Sequence, residues 1–104
     1  MWPDWYTPTH QFTINDIIVA AARLSRFTPD QIKGAQRHKP LVKARFAVCY
    51  VARKKGFSYP VIGRRLGGRD HTTVMNAIEK AEIYRDYDPE FAAMLHNLAD
   101  AVAA

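Results

Sequence analysis

Apolar residues recur at helical spacing in one segment of this chain after another, and no segment alternates apolar and polar residues over a useful length. The first helical pattern follows Thr13, which resembles the start of a capping box closed by Asp16. Its apolar positions are Ile14, Ile17, Ile18, Ala21 and Leu24. Because turn signals bracket helical patterns throughout, the sequence predicts an all-α fold of five or six helices.

Two further helices are expected in the first half of the chain. A short helix should run from Thr28 to Gly34, and a long helix should run from Pro40 to about Lys55. The polar and basic linker 34–39 separates them. The long helix has a wide apolar face, which predicts a central place in the core. That face consists of Leu41, Ala44, Phe46, Val48, Cys49, Tyr50 and Val51.

Residues 58–66 and 70–84 are two helical patterns joined by a turn that contains Gly67 and Gly68. Asp70 can cap the second helix, because a carboxylate at this position accepts backbone N–H bonds from the first turn. A helix, a short glycine-containing turn and a second helix together are typical of a helix-turn-helix. The sequence therefore predicts a DNA-binding motif near the middle of the chain.

A run of polar side chains follows the glycine turn, within the stretch GGRDHTTV. The second helix of a helix-turn-helix enters the major groove of DNA with its N-terminus first. Threonine offers a hydroxyl and a methyl to base edges, and histidine can donate or accept a hydrogen bond. His71, Thr72 and Thr73 are thus candidates to contact DNA, and the alternative interpretation is a solvated helix start at which Asp70 only caps.

The charge distribution also indicates a polyanionic partner. The formal net charge is +5 and the pI is about 9.6, which suits nucleic acid or an anionic membrane surface. Seven cations fall between positions 45 and 69: Arg45, Arg53, Lys54, Lys55, Arg64, Arg65 and Arg69. We predict that these residues contact phosphates. Acids cluster later, from Glu79 to Glu90, where a last helix should begin at Asp88 and Pro89.

Other classes of protein are disfavoured by the residue pattern. Cys49 is the one cysteine, which rules out an internal disulfide and fits a reducing compartment. No apolar run approaches the roughly 20 residues of a membrane span. Asp70 and His71 are neighbours on a helix and point about 100 degrees apart, so they do not form an oriented catalytic pair. The four histidines are too scattered for a metal site. We expect a cytoplasmic, nucleoid-associated protein that is not an enzyme and has no metal or cofactor.

The stretch GGRDHTTV, followed by NAIEK, resembles the signature of the C-terminal DNA-binding domain of DnaA, the bacterial replication initiator. The resemblance extends upstream through LVKARFAVCYVARKKGFSYPVIGRRL and covers about residues 12–100. It implies a Trp-repressor-like helical fold that reads duplex DNA. It also implies that Asp70, His71 and Thr72 contact bases in the major groove, and that Tyr59 and Pro60 approach thymine methyls. Ser58, Arg69 and Thr73 correspond to family positions that meet the phosphate backbone.

The chain departs from the family pattern in two respects. Gln36 aligns with the arginine that the family sends into the minor groove, so Arg37, His38 and Lys39 become the minor-groove candidates. The chain also has no G-x-x-x-x-G-K-[ST] loop, so we expect no nucleotide binding and a stand-alone domain without the family's ATPase module. Three roles stay open: a competitor of the initiator, a small transcription factor, or a replication factor of a mobile element.

Residues 1–11 form a segment of different composition ahead of the domain at 12–104. This arm carries Trp2, Trp5 and Tyr6, which either cover the core or anchor a protein partner or a homodimer. The second interpretation leads to an alternative function, a protein-interaction module with an initiator-like fold that docks a replication partner through its arm.

Overall fold

The computed structural model describes residues 12–103, and within them six helices and no strand confirm the predicted all-α class. The predicted aromatic arm, with Trp2, Trp5 and Tyr6, lies outside the described residues. In chain order the helices are α1 Ile14–Ser25, α2 Pro29–Lys33, α3 Lys39–Lys54, α4 Tyr59–Arg65, α5 His71–Tyr87 and α6 Pro89–Ala101.

The first two helices begin with the capping boxes that the sequence predicts. The Thr13 hydroxyl accepts from the backbone N–H of Asp16 at 3.1 Å, and the Asp16 carboxylate accepts from the N–H of Thr13 at 2.9 Å. Thr28 and Gln31 make the same reciprocal pair at the start of α2. These bonds satisfy backbone donors that the first helical turn leaves without a partner, which is why short polar side chains set both boundaries.

Helix α3 is the centre of the core and packs against all five other helices. Its buried face includes Ala44, Val48 and Ala52, each fully shielded from solvent. The small alanines on this face allow close packing of α1, α5 and α6 around it. The wide apolar stripe of the sequence thus predicted the central helix correctly.

The end of α1 differs from the predicted apolar face. Leu24 is 43% exposed, whereas Ile17 and Ala21 are buried. Each residue turns the helix by about 100 degrees, so the buried face continues from Ala21 to Ser25 rather than to Leu24. The Ser25 hydroxyl donates to the Ala21 carbonyl at 2.6 Å, which satisfies its polar group in this half-buried position.

An ion pair fastens α6 to the central helix. Lys43 Nζ donates to Asp88 Oδ2 at 2.7 Å, and Asp88 Oδ1 caps α6 by accepting from the N–H of Phe91 at 3.2 Å. The bond from Lys43, followed by that from the Phe91 amide, lowers the pKa of Asp88 below its ordinary value of 3.8. The same ion pair raises the pKa of Lys43 above 10.5.

This ion pair predicts a specific loss of stability in acid. The pKa of Asp88 is lower in the folded chain than in the unfolded chain, so its contribution is present above about pH 4 and is lost as the pH falls through the folded value. We expect Asp88→Asn to flatten the decline of the urea midpoint between about pH 6 and pH 2. Glu82→Gln, at an exposed position of α5, is the control. Equal flattening in both variants would contradict the assignment to Asp88.

Candidate nucleic-acid interface

Helices α4 and α5 are joined by the tight glycine turn that the sequence predicts. Gly67 and Gly68 both have φ of +77°, a conformation that L side chains rarely adopt. The N–H of Arg69 donates to the Gly63 carbonyl at 2.7 Å, which folds the turn back onto α4. A Cβ on Gly63 would lie 2.0 Å from the Arg69 carbonyl oxygen, so the two segments are in direct backbone contact.

The turn presents the first residues of α5 to solvent. Asp70 is the N-cap, and its Oδ2 accepts from the N–H of Thr72 at 3.0 Å. Hydrogen bonds from Thr72, the backbone bond foremost, hold the pKa of Asp70 below its ordinary value of 3.8, so the cap is a carboxylate. His71, Thr72 and Thr73 are exposed, and Val74 is the first buried residue of the helix. The helix end therefore offers polar side chains to a partner while its next turn is held in the core.

The start of α4 lies against the end of α3. The Tyr59 ring is half-buried and stacks with the Arg53 guanidinium, whose Cζ lies 4.3 Å from the ring centroid. Arg53 also donates to the Phe57 carbonyl at 3.2 Å, and the Ser58 hydroxyl caps α4 by accepting from the N–H of Val61. Pro60 is exposed beside them. The apolar positions that the family resemblance singles out thus lie next to a cation of α3.

A groove joins this corner to the second turn of α5. Its volume is about 520 Å³. Arg53, Lys54 and Tyr59 line it from the α3–α4 corner, and Met75, Glu79 and Glu82 line it from α5. Packing therefore brings the predicted cations at the end of α3 to the same side of the molecule as α5.

The predicted phosphate-contacting cations at the end of α3 and on α4 form no direct ion pair within residues 12–103. Between residues 12 and 103, ion pairs join Lys43 to Asp88 and Arg85 to Asp86, and the imidazoles of His71 and His96 lie 3.5 Å and 3.2 Å from the carboxylates of Asp70 and Asp100. None of these pairs involves Arg53, Lys54, Lys55, Arg64 or Arg65, and all of these but the half-buried Lys55 are exposed. No carboxylate of residues 12–103 therefore pairs directly with these cations, although Glu79 and Glu82 line the same groove as Arg53 and Lys54.

Arg45 is not the phosphate contact that the sequence predicts. Its side chain is only 7% exposed, and its guanidinium donates to three backbone carbonyls. Nε bonds the Ile32 oxygen at 2.7 Å, Nη2 bonds the Gln31 oxygen at 2.9 Å, and Nη1 bonds the Gln36 oxygen. The carbonyls at the end of α2 need donors, and an inward arginine of α3 supplies them. The prediction was wrong because the charge of a residue does not indicate which side of a helix it occupies.

Arg69 also turns inward, although less completely. Its Nη1 donates to the Lys33 carbonyl at 3.1 Å and to the Leu66 carbonyl at 2.6 Å, and its Nη2 donates to the Gly34 carbonyl. These bonds leave Nε and one N–H of Nη2 for another partner. Arg69 therefore serves first to join the glycine turn to the end of α2, and its predicted phosphate contact is confined to the remaining donors.

The basic linker lies along one wall of a second, larger cleft. Residues 35–39 are exposed, and α3 begins at Lys39, one residue earlier than predicted. His38 is its N-cap residue, and the His38 ring lies edge-on to Phe27 at 6.0 Å. Arg37 lines the cleft, whose volume is about 840 Å³.

The opposite wall of this cleft contains the predicted phosphate contact Thr73 together with Asn76 and Lys80, which sequence reasoning missed. Thr73, Asn76 and Lys80 of α5 face the linker across the cleft, and Lys33 contributes a further cation. None of the residues that line the cleft is acidic. The spacing of positions 73, 76 and 80 could have indicated this shared surface, because these positions lie on one side of an α-helix. The positive surface therefore extends beyond the cations that clustering in the sequence singled out.

The thiol of Cys49 lies at the floor of the same cleft. It is 1% exposed, and burial raises its pKa to about 12, an effect that the nearby Arg69 charge partly opposes. The group is therefore a protonated thiol at neutral pH, as expected for a small core residue rather than a nucleophile.

Comparison with known proteins identifies this arrangement. A sequence profile described as the bacterial DnaA protein helix-turn-helix matches residues 14–81, more than half of the chain. The chain belongs to the DnaA helix-turn-helix family. Helices α4 and α5 with their glycine turn lie within the matched region, and membership supports binding of double-stranded DNA by this domain.

The DnaA relatives come from diverse bacteria and are much longer than this chain. The chromosomal replication initiator protein DnaA of Lacticaseibacillus casei is 42% identical over 71 residues, which are 67% of this chain and 16% of the relative. The protein of the same name in Thermus thermophilus is 38% identical over 74 residues, 70% of this chain and 17% of the relative. That of Geobacter sp. is 32% identical over 91 residues, 86% and 20% respectively. The chain thus spans about a fifth or less of these relatives.

Among the described residues, no helix is both long enough and apolar enough to cross a membrane. Across residues 12–103, no three His, Cys, Asp or Glu side chains come together in a group that could hold a metal ion.

Proposed function

We propose that this protein binds double-stranded DNA sequence-specifically at sites resembling the DnaA box, and thereby controls replication or transcription without catalysis of its own. The observation that carries the proposal is the exposed N-terminus of α5, where His71, Thr72 and Thr73 follow the capped and glycine-bounded turn. This end of a recognition helix is the part that reaches base edges in the major groove. Such a role belongs to the cytoplasm, at the nucleoid.

Each predicted contact has a chemical basis in the proposed complex. His71 and Thr72 would bond base edges, and the Asp70 carboxylate would accept from a cytosine amino group. Tyr59 and Pro60 would pack against thymine methyls. The hydroxyls of Ser58 and Thr73 would donate to phosphates, which position the domain without reading sequence.

The cations at the end of α3 and on α4, all exposed except the half-buried Lys55, would supply the part of the affinity that does not depend on sequence. Arg53, Lys54, Lys55, Arg64 and Arg65 would neutralise phosphates and release condensed counterions. The exposed linker residues Arg37, His38 and Lys39 are the candidates for the minor groove, where a positive side chain is attracted by the negative potential. We withdraw Arg45 from the proposed contacts, because its guanidinium is buried and bonded inside the protein.

The deciding experiment is fluorescence anisotropy with a labelled duplex that contains a DnaA-type box, and a scrambled duplex of the same composition as the control. Both titrations are run at low and at physiological salt. We expect a preference of about a hundredfold, equivalent to about 2.7 kcal/mol. Equal and strongly salt-dependent binding to both duplexes would contradict sequence-specific reading, and absence of binding would reject the DNA-binding function.

The exposed arginines of α4 allow a direct test of the electrostatic contribution. We expect Arg64→Ala or Arg65→Ala to weaken binding to box and scrambled duplexes alike, and to reduce the slope of log K against log salt by about one unit. Arg23→Ala removes the same charge from an exposed position of α1 and is the control. A loss of specific binding only, or an equal effect of Arg23→Ala, would argue against phosphate contact by α4.

A protein-docking role is the second candidate, and the outer surface of α5 favours it. Met75, Ile83 and Tyr87 are 43%, 50% and 67% exposed, although they are large and apolar. Deletion of residues 1–11 separates the two functions. It should abolish capture of a replication partner if the arm is the docking segment, and it should leave duplex binding unchanged if α5 reads DNA.

A further inference from the structure

Two guanidinium groups from different parts of the chain converge on one short stretch of backbone. Arg45 reaches from α3 to the carbonyls of Gln31, Ile32 and Gln36. Arg69 reaches from the glycine turn to the carbonyls of Lys33 and Gly34. Five of the six carbonyls in the segment 31–36 thus accept from one of these two side chains.

This segment connects the end of α2 to the basic linker. A five-residue helix leaves most of its carbonyls without an intrahelical partner, so its end is not held in place by its own hydrogen bonds. The two arginines supply those donors from outside. The last carbonyl that they hold belongs to Gln36, and the exposed Arg37 follows it directly.

The glycine turn and the end of α2 are also in steric contact. A Cβ on Gly67 would lie 2.1 Å from the Lys33 carbonyl oxygen and 3.0 Å from Nη1 of Arg69. Only a glycine lets the turn approach this closely. α5 begins three residues after Gly68. The contacts between the glycine turn and the end of α2 therefore relate the position of the linker to that of the recognition helix.

The two cations are close enough to repel each other. Burial, and then the charge of Arg69, lowers the pKa of Arg45. Carbonyl dipoles from one segment therefore stabilise two positive charges that would otherwise separate. These hydrogen bonds form only when the carbonyls of residues 31–36 face both guanidinium groups. They therefore favour one position of the linker over others.

We propose that Arg45 and Arg69 are positioning residues that hold the basic linker in a fixed relation to the recognition helix, so that Arg37 and α5 engage one duplex in a single register. The inference rests on the proposed DNA-binding function and adds the coupling between two contact regions. With the linker ordered before binding, the complex forms without the entropic cost of ordering it. Neither arginine needs to touch DNA for this effect.

A double-mutant cycle on the DnaA-type box tests the coupling. We expect Arg37→Ala to weaken binding about tenfold, and we expect its effect to fall to twofold or less when Arg45→Gln is already present, because a released linker no longer presents residue 37. Arg64→Ala combined with Arg45→Gln is the control cycle, and its effects should multiply since Arg64 lies on α4. The N–H groups of Ile32 and Gly34 bond the Thr28 and Gln31 carbonyls. Their hydrogen exchange in the unliganded protein should be at least tenfold faster in Arg45→Gln, because the end of α2 is then no longer held.

The outcomes separate this inference from the function on which it rests. If the wild type prefers the box but the effects of Arg37→Ala and Arg45→Gln multiply, the coupling is absent and the inference fails. If the wild type binds box and scrambled duplexes equally, sequence-specific function fails, and the same cycle on either duplex still decides the coupling. If no duplex is bound, both fail. Should Arg45→Gln not fold, Arg45→Lys takes its place in both cycles, because a lysine keeps the charge but lacks the planar guanidinium that bonds three carbonyls.

Discussion

Replacing His71 or Thr72 with alanine should lower the affinity for the specific duplex by about 1–3 kcal/mol, which is roughly a fivefold to 150-fold loss. Both side chains are exposed in the first turn of α5, where the domain would meet base edges. Binding to a scrambled duplex should not change, because non-specific binding depends on phosphate neutralisation by lysines and arginines rather than on these two side chains. The measurement is anisotropy on both duplexes at one fixed salt concentration.

The chain offers a matched control for His71. His96 is also an exposed histidine close to a carboxylate, with Nε2 at 3.2 Å from Asp100 Oδ2, whereas His71 Nδ1 lies 3.5 Å from Asp70 Oδ1. His96 belongs to α6, which is outside the helix-turn-helix. We expect His96→Ala to leave both affinities unchanged. If His71→Ala weakened the scrambled duplex as strongly as the box, His71 would contribute to general binding rather than to base reading.

Gly67→Ala should destabilise the fold by about 2–4 kcal/mol, and Gly68→Ala should cost only about 1–2 kcal/mol. Both glycines have φ of +77°, so both variants include the cost of a left-handed alanine. Only at position 67 does the new methyl collide with a neighbour, the Lys33 carbonyl oxygen at 2.1 Å. At position 68 a Cβ would meet nothing within 4 Å. The difference between the variants therefore measures the close approach alone.

Urea unfolding of both variants gives this difference directly. Gly67→Ala should also weaken DNA binding by the folded protein, in the absence of urea. The turn must move away from the Lys33 carbonyl to accommodate the new methyl group, and the linker then loses its position relative to α5. Gly68→Ala should retain wild-type affinity when fully folded. Equal free energies of unfolding in the two variants would show that the contact between Gly67 and Lys33 does not persist in solution.

The starts of the helices were predicted well because their causes are local, whereas α5 ends at Tyr87, three residues beyond the predicted 84. The Thr13 and Thr28 boxes and the Asp70 cap each act within three residues of the chain. The glycine turn is equally local, since a positive φ is a property of the residue itself. Family membership followed from the same region, the stretch GGRDHTTV, and the profile match over residues 14–81 confirms it.

The candidate site could be predicted only in part. Exposure of His71, Thr72 and Thr73 agrees with the predicted role of the α5 terminus, but their contacts with DNA stay predictions. Lys80 was missed because it lies outside the cluster of cations in the sequence, although packing brings it to the same cleft as Arg37. A surface that several helices form depends on how they pack. A cluster of cations in the sequence therefore identifies only some of the cations on that surface.

The sequence by itself determined the all-α class of five or six helices, the predicted caps, the glycine turn and the family, because periodicity, capping and backbone conformation act over a few neighbouring residues. Only the tertiary structure decided where the guanidiniums of Arg45 and Arg69 go. Their hydrogen bonds reach partners as far as 14 and 36 residues away in the chain. Those carbonyls become available only when α2, α3 and the turn pack together, and there two arginines that look like surface cations in the sequence become internal supports of the linker.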